Sequence, residues 1–247
     1  MASRAPGPVC PGPRLTLVFV TDFTRSTQPQ GAGQLPVSRK IPDSTVRRLS
    51  LYLRTLEQLA REGEGTVSSE ELAGQAGTTA AQVRKDLSHF GSFGKRGLGY
   101  AVPPLVHELE EILGLDRLWR VGLVGAGRMG SALFEYAGFG ARGFDIVVVL
   151  DSDPDKVGQR WGRVTIGHAD DLEAVFRDKA VDIAILAVPV EAVHQTAARV
   201  VAAGVRGILN FAPAQLRVPP GVMLKDVNLV MELEALSFAL RRRERAP

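Results

Sequence analysis

A chain of 247 residues with 45% apolar and 23% charged residues is long enough for two domains and carries the composition of an ordinary globular protein. One cysteine, Cys10, excludes an intrachain disulfide and fits a reducing compartment, and no apolar run approaches the roughly 18 residues of a membrane span. The short LTLVFV run, Leu15–Val20, is too brief for a signal-peptide core, so a cytoplasmic protein with no membrane association is expected. The net charge of +3 says little by itself, but residues 40–102 hold nine basic and seven acidic side chains while residues 103–247 hold 17 and 19. That asymmetry permits nucleic acid at the front of the chain without requiring it.

Residues 1–39 are rich in Pro, Gly, Ser, Thr and Gln and show little periodicity, which reads as a disordered extension. From Pro42 to Glu62 the apolar positions Leu49, Tyr52, Leu53, Leu56, Leu59 and Ala60 fall on one helical face. Arg47, Arg48, Arg54 and Arg61 lie largely off it. Ser68-Ser69-Glu70-Glu71 is a capping box opening a short helix that stops at Gly77. Thr78 or Thr79 caps the next helix, Ala80–His89. Two short helices joined at a glycine are the signature of a helix-turn-helix. Val83 and Leu87, with Ala76, would face its core, leaving Gln82, Arg84, Lys85 and Ser88 outward, types that bond base edges and phosphates. Four glycines with Lys95 and Arg96 then read as a hairpin, hence a wing, over residues 90–102. Arg48, Gln82, Arg84, Lys85, Ser88, Lys95 and Arg96 are the candidate DNA contacts. The bland alternative is a small helical cap domain with an exposed charged hairpin. Pro103–Leu115 is expected as a connecting helix, with the domain boundary at 102/103.

Residues 120–153 carry the strongest signal. An apolar run, Val121–Val124, leads into Gly125-Ala126-Gly127-Arg128-Met129-Gly130, a G-x-G-x-x-G. A helix-friendly stretch and a second apolar run, Ile146–Leu150, follow, and Asp151 stands 21 positions past Gly130. Strand, glycine turn, helix, strand and terminal acid make up the full dinucleotide fingerprint. Gly125 would allow the tight turn, Gly127 the close approach of a pyrophosphate, and Gly130 the packing of helix on sheet. Asp151 would accept hydrogen bonds from ribose hydroxyls and repel a 2′-phosphate, favouring NADH and NAD+ over their phosphorylated forms.

Strands are expected at Val164–Ile166, Val181–Val188, Val205–Phe211 and Val222–Leu229, with helices at Asp170–Arg177 and Glu191–Ala203. The fold class is α/β: a winged-helix domain (40–102), a Rossmann-type doubly wound parallel sheet (103–229) and a C-terminal helix (230–247). Val188 and Pro189, at a strand C-terminus, are candidates for the ligand crevice. Leu229, Leu233, Leu236 and Leu240 form a helical stripe, read either as packing on the chain's own core or as a dimer contact. The scattered histidines lack metal-ligand spacing, and neither a nucleophile motif nor a substrate domain is visible, so no metal and no catalytic residue is expected.

The motifs Ala81–Ser88 (AQVRKDLS), Phe90–Gly94 (FGSFG), Arg96–Tyr100 (RGLGY), the glycine fingerprint and Ile208–Pro213 (ILNFAP) resemble the Rex family of redox-sensing transcriptional repressors, over residues 40–243. The resemblance implies a non-enzymatic homodimer with an exchanged C-terminal helix. It would bind operator DNA when NADH is low and release it when NADH rises. It also implies that Leu229 reaches the partner's nicotinamide site. The family has an acid where this chain has Asn228, and that acid would pair across domains with an arginine or tyrosine, matching Arg54 or Tyr100. Asn228 can hydrogen-bond but carries no charge. An NAD-dependent oxidoreductase or a coenzyme A-binding module with a helical accessory domain are the alternatives.

Overall fold

A computed structural model describes residues 41–95 and 97–244. The expectations for residues 1–39, Cys10 and Arg96 lie outside the described residues. The first domain is built from α1 (Asp43–Arg61), β1 (Thr66–Val67), α2 (Ser69–Gln75), α3 (Ala80–Ser88), β2 (Gly94–Lys95), β3 (Gly99–Ala101) and α4 (Val102–Leu113). Ser68 Oγ accepts from the Glu71 amide at 3.0 Å, and Thr79, not Thr78, caps α3 through the Gln82 amide at 3.2 Å. β1, β3 and β2 form a small antiparallel sheet in that order, the wing of the sequence reading.

α4, expected as a connecting helix, packs on α1. Pro103 and Pro104 occupy the first positions of the helix, where a missing N–H costs nothing. Its buried residues Val102, Leu105 and Leu109 join Leu49, Tyr52, Leu53 and Leu56 of α1 in one core. α4 ends at Gly114, whose left-handed backbone (φ 68°) stops the helix and whose carbonyl accepts from Trp119 Nε1 at 2.6 Å.

The second domain follows the expected alternation: β4 (Trp119–Val124), α5 (Arg128–Phe134), α6 (Ala137–Gly140), β5 (Phe144–Asp151), β6 (Arg160–Trp161), β7 (Val164–His168), α7 (Leu172–Asp178), β8 (Ile183–Leu186), α8 (Val190–Ala202), β9 (Gly207–Asn210) and β10 (Met223–Asp226). The sheet order is β10-β9-β8-β4-β5-β7-β6, all pairs parallel except the short β6, which closes the edge antiparallel to β7. Without β6 this is the 3-2-1-4-5-6 order of a dinucleotide-binding sheet. Both faces are covered. Phe176 of α7 and Val193, Ala197 and Val200 of α8 bury one face, while Leu133, Phe134 and Phe139 of α5 and α6 pack on the other. On that second face the β8–β10 end is barer: Ile183, Ile185, Leu209 and Leu224 line an apolar cleft of about 400 Å³.

Ion pairs among the described residues tie the domains together. Arg142 holds Glu57 of α1 in a bidentate pair at 2.5 and 2.7 Å, and Lys225 of β10 reaches Asp43 at 2.6 Å. The final helix, α9 (Leu229–Glu244), overturns one of the two readings of its leucine stripe. Leu229, Leu233, Leu236 and Leu240 are 56–65% exposed, with Met231 and Phe238 alike, so the stripe does not pack on its own core.

Candidate nucleotide crevice and DNA-reading surface

The strand order reverses between β4 and β8, where the chain leaves one half of the sheet for the other, and ligands of such sheets sit outside the strand C-termini at that point. Gly125 ends β4 with φ 101°, and a Cβ there would collide with the Ala187 carbonyl beside Val188. A Cβ on Gly130 would run into the Gly125 carbonyl. These two glycines are demanded by the protein's own packing. Gly127 is different: its φ is −78° and a Cβ would meet nothing within 4 Å. An N-cap accepts Ser, Thr, Asn or Asp as readily as glycine, so the fold does not require glycine at 127, whereas a phosphate group approaching the start of α5 does. The residues present fit a dinucleotide on that ground.

Asp151 closes β5, only 8% exposed. Its Oδ2 accepts from the Ala126 amide at 2.6 Å and its Oδ1 from the Asp153 amide at 2.8 Å, while Lys156 stands 3.4 Å away. The acid thus braces the glycine turn from across the sheet. Lys156 also meets Asp153 at 3.2 Å; burial works against its ammonium, but the two carboxylates raise its pKa on balance. An open cleft is lined by Ala126, Gly127, Arg128, Ser131 and Lys156. Met129 is exposed on the first turn of α5, and Val188 and Pro189 sit at the β8–α8 junction, Pro189 at the cap of α8. Sequence reasoning missed Lys156; a lysine five positions past the fingerprint acid was the available signal.

In the first domain, Arg84, Lys85, Ser88 and Lys95 are exposed, as expected of DNA contacts. Arg84 is not idle: its Nη1 donates to Ser69 Oγ at 2.6 Å and to Glu70 Oε1 at 3.1 Å. Glu70's own backbone amide, and then Arg84, hold that carboxyl below its usual range. Ser88 Oγ turns back to the Lys85 carbonyl at 2.7 Å. Two expected contacts differ from the solvated picture. Arg48 donates Nε and Nη2 to Asp86 at 2.6 and 2.8 Å, and Gln82 Nε2 donates to the same carboxylate at 2.7 Å. Asp86 is fully buried on α3. Burial pushes its pKa up, but donation from Arg48, Gln82 and Tyr52 outweighs this and lowers it. The Tyr52 hydroxyl, 2.9 Å from Asp86, is pushed up to about 12 by burial and by that neighbour.

Arg54 is exposed on α1, Tyr100 is buried behind the wing, and Asn228 Oδ1 accepts from the Val230 and Met231 amides at 3.0 and 3.3 Å. Among the described residues no hydrogen bond joins Asn228 to either of the others. Asn228 is the N-cap of α9, a task asparagine and aspartate perform equally well. Leu229 opens α9 exposed, next to a cleft lined by Ala212–Gln215, Asn228 and Met231. Asn210, fully buried at the end of β9, shapes that cleft by donating to the Ala212 and Ala214 carbonyls and to Asp226.

A family of putative DNA-binding protein N-termini matches residues 40–88, and the CoA binding domain family matches residues 116–214. A redox-sensing transcriptional repressor Rex from Carboxydothermus hydrogenoformans is 49% identical over 203 residues, 82% of this chain and 98% of that protein. The repressor of the same name from Streptomyces coelicolor is 46% identical over 206 residues, 83% of this chain and 80% of that one. The chain belongs to the Rex family. Among solved structures, the Rex-family repressor RSP in complex with beta-NAD+ and operator DNA is similar at TM-score 0.80 and 36% identity, covering 84% of this chain and 95% of that one. RSP with beta-NADH gives 0.76 and 34%, covering 84% and 97%. No helix among the described residues is long and apolar enough to cross a membrane.

Proposed function

We propose that this Rex-family chain is a homodimeric repressor that reads the NADH/NAD+ ratio, bound to operator DNA when NADH is low and released when NADH binds, and that it is a sensor, not a catalyst. The observation that carries this reading is the pairing, in one chain, of a winged helix with a glycine-turn crevice whose Gly127 is left open for a phosphate. The oxidoreductase and coenzyme A readings leave the winged helix without a task. Gel shifts on promoter DNA across an NADH/NAD+ titration test it. NADH should weaken the complex, and a complex indifferent to NADH would overturn the reading.

In this reading the start of α5 holds the pyrophosphate and Asp151 the adenosine ribose. The nicotinamide is cationic when oxidised and neutral when reduced, so discrimination falls to its surroundings. Val188, Pro189 and the partner's copy of Leu229 are the residues we assign to that role. Exchange of α9 would account for two features: a helix with its leucines in water, and an apolar cleft on the β8–β10 face that no described residue covers. Arg84, Lys85, Ser88, Lys95 and Arg96 are assigned to DNA, and Arg54, Tyr100 and Asn228 to the contact between domains that changes with the ligand.

Because Asp151 braces Ala126 as well as facing the ribose position, Asp151→Ala should weaken NADH and NADPH together while narrowing the gap between them. Calorimetry with both nucleotides checks this, and an unchanged gap removes Asp151 from ribose selection. Arg84 must leave Glu70 to reach a guanine. Arg84→Ala should cost about 1–3 kcal/mol on operator DNA and relax the sequence preference, whereas Lys85→Ala should weaken all sequences alike and flatten the salt dependence. Equal loss on specific and random duplexes in the Arg84 variant would assign it to phosphate.

A further inference from the structure

Four side chains converge on one buried carboxylate at the junction of α1 and α3. Asp86 receives Arg48 twice, Tyr52 at 2.9 Å, Gln82 at 2.7 Å and Thr45 at 3.4 Å, and has no exposed surface. An acid on the apolar side of a recognition helix is costly to bury and is tolerated because its acceptor sites are filled. The arrangement does more than satisfy a charge. Gln82 lies one turn before Asp86, half-buried at the edge of the outward face of α3. A side-chain amide is a donor at one end and an acceptor at the other, and a free glutamine presents either. Beside a carboxylate only the NH2 end can turn inward, because an amide oxygen there would face carboxylate oxygen. Gln82 Oε1 accepts nothing from the described chain.

We propose that Asp86 is a positioning residue for base reading: by holding the Gln82 amide by its nitrogen, it makes Gln82 present a fixed acceptor to the DNA. This inference rests on the reading of α3 as the DNA-recognition helix. A fixed acceptor favours an exocyclic amine in the major groove, that of adenine or cytosine, at one base pair of each half-site. The depressed pKa of Asp86 keeps the anchor ionised near neutral pH. The same carboxylate ties Arg48 of α1 to the helix, so the side chains of two elements are set before DNA arrives.

The test is sequence selection by the full chain from a randomised duplex pool, followed by affinity measurements on the selected duplex and on single-base changes of it. In Asp86→Asn the new NH2 group competes for the inward position, which releases or inverts the Gln82 amide. Discrimination at one base pair of each half-site should fall about tenfold or pass to a base bearing an acceptor, with the other positions retained. NADH affinity, read by calorimetry, should stay at the parent value. Gln82→Ala keeps the Asp86–Arg48 pair and should lose discrimination at that same position, and the double variant should lose no more there than Gln82→Ala alone. This second variant keeps the proposal testable if Asp86→Asn does not fold. Selection of the parent motif by Gln82→Ala, or a uniform loss over all positions in Asp86→Asn, overturns the positioning role. A parent protein that enriches no sequence at all instead removes the DNA-reading function on which the inference rests.

Discussion

Gly127→Thr should abolish NADH binding while leaving the melting temperature within about 2 °C of the parent. The separation follows from what surrounds each glycine of the turn. Gly127 is the N-cap of α5, its backbone is extended, and its missing Cβ points at open space. Threonine ranks with glycine at N-caps and is at ease in extended backbone, so the fold accepts it. Its methyl and hydroxyl would then occupy the approach to the helix start, and the hydroxyl would take the N–H groups a phosphate needs. Losing two charge-assisted hydrogen bonds at about 1.5–3 kcal/mol each corresponds to a loss of affinity of about 100-fold or more. Gly130→Ala should behave in the opposite way. Its Cβ meets the Gly125 carbonyl, backbone that cannot swing aside, so it should destabilise by about 1–3 kcal/mol and lower the melting temperature by several degrees. Calorimetry and thermal melts of both variants decide the matter. If Gly127→Thr binds NADH like the parent, the phosphates do not pass Gly127.

Leu236→Asp should convert a dimer into a monomer at micromolar concentration and cut operator affinity by about 100-fold or more. Leu236 lies mid-way along α9, 60% exposed, between Leu233 and Leu240. A leucine side chain buried in an interface contributes about 1.5–3 kcal/mol, and an unpaired carboxylate in its place adds a desolvation cost on top. Two winged helices held together bind adjacent half-sites as a bivalent unit, and separating them forfeits the gain of linkage, about 10²–10⁴-fold. Sedimentation velocity and gel shifts with the same preparation test both halves. A variant that stays dimeric places the interface elsewhere.

Much of this architecture was legible in the sequence because period and punctuation agreed. The fingerprint, the alternating strands and helices, the Ser68 cap and the wing glycines each constrain the backbone locally, and local constraint is what a sequence displays. What the sequence does not display has one cause. Periodicity says that α4 has an apolar face, but not that Leu105 and Leu109 find α1 rather than the sheet. The same holds for α9, whose leucine spacing is helical whether the face meets its own core, water or a second chain. Asp86 is less legible, because the polar side chains of a recognition helix are expected to point outward. Yet it falls three past Val83 and one before Leu87, on the buried stripe, and an acid in that register requires partners. Gln82 is an i,i+4 neighbour, but the other three come from α1, 34 to 41 residues away, which no local pattern contains.

The ion pairs between the domains change how salt titrations of this protein must be interpreted. Glu57–Arg142 and Asp43–Lys225 are partly solvated, so added salt loosens them. Added salt also weakens DNA binding by removing the advantage of counterion release. A plot of log affinity against log salt therefore combines two slopes, one from phosphates contacted and one from the poise of the winged helices on their nucleotide domains. The number of phosphates can be taken from it only after Glu57→Gln and Asp43→Asn have fixed the second term. By the same reasoning, the NADH/NAD+ ratio at which the protein lets go of DNA is a function of ionic strength as well as of the nucleotides.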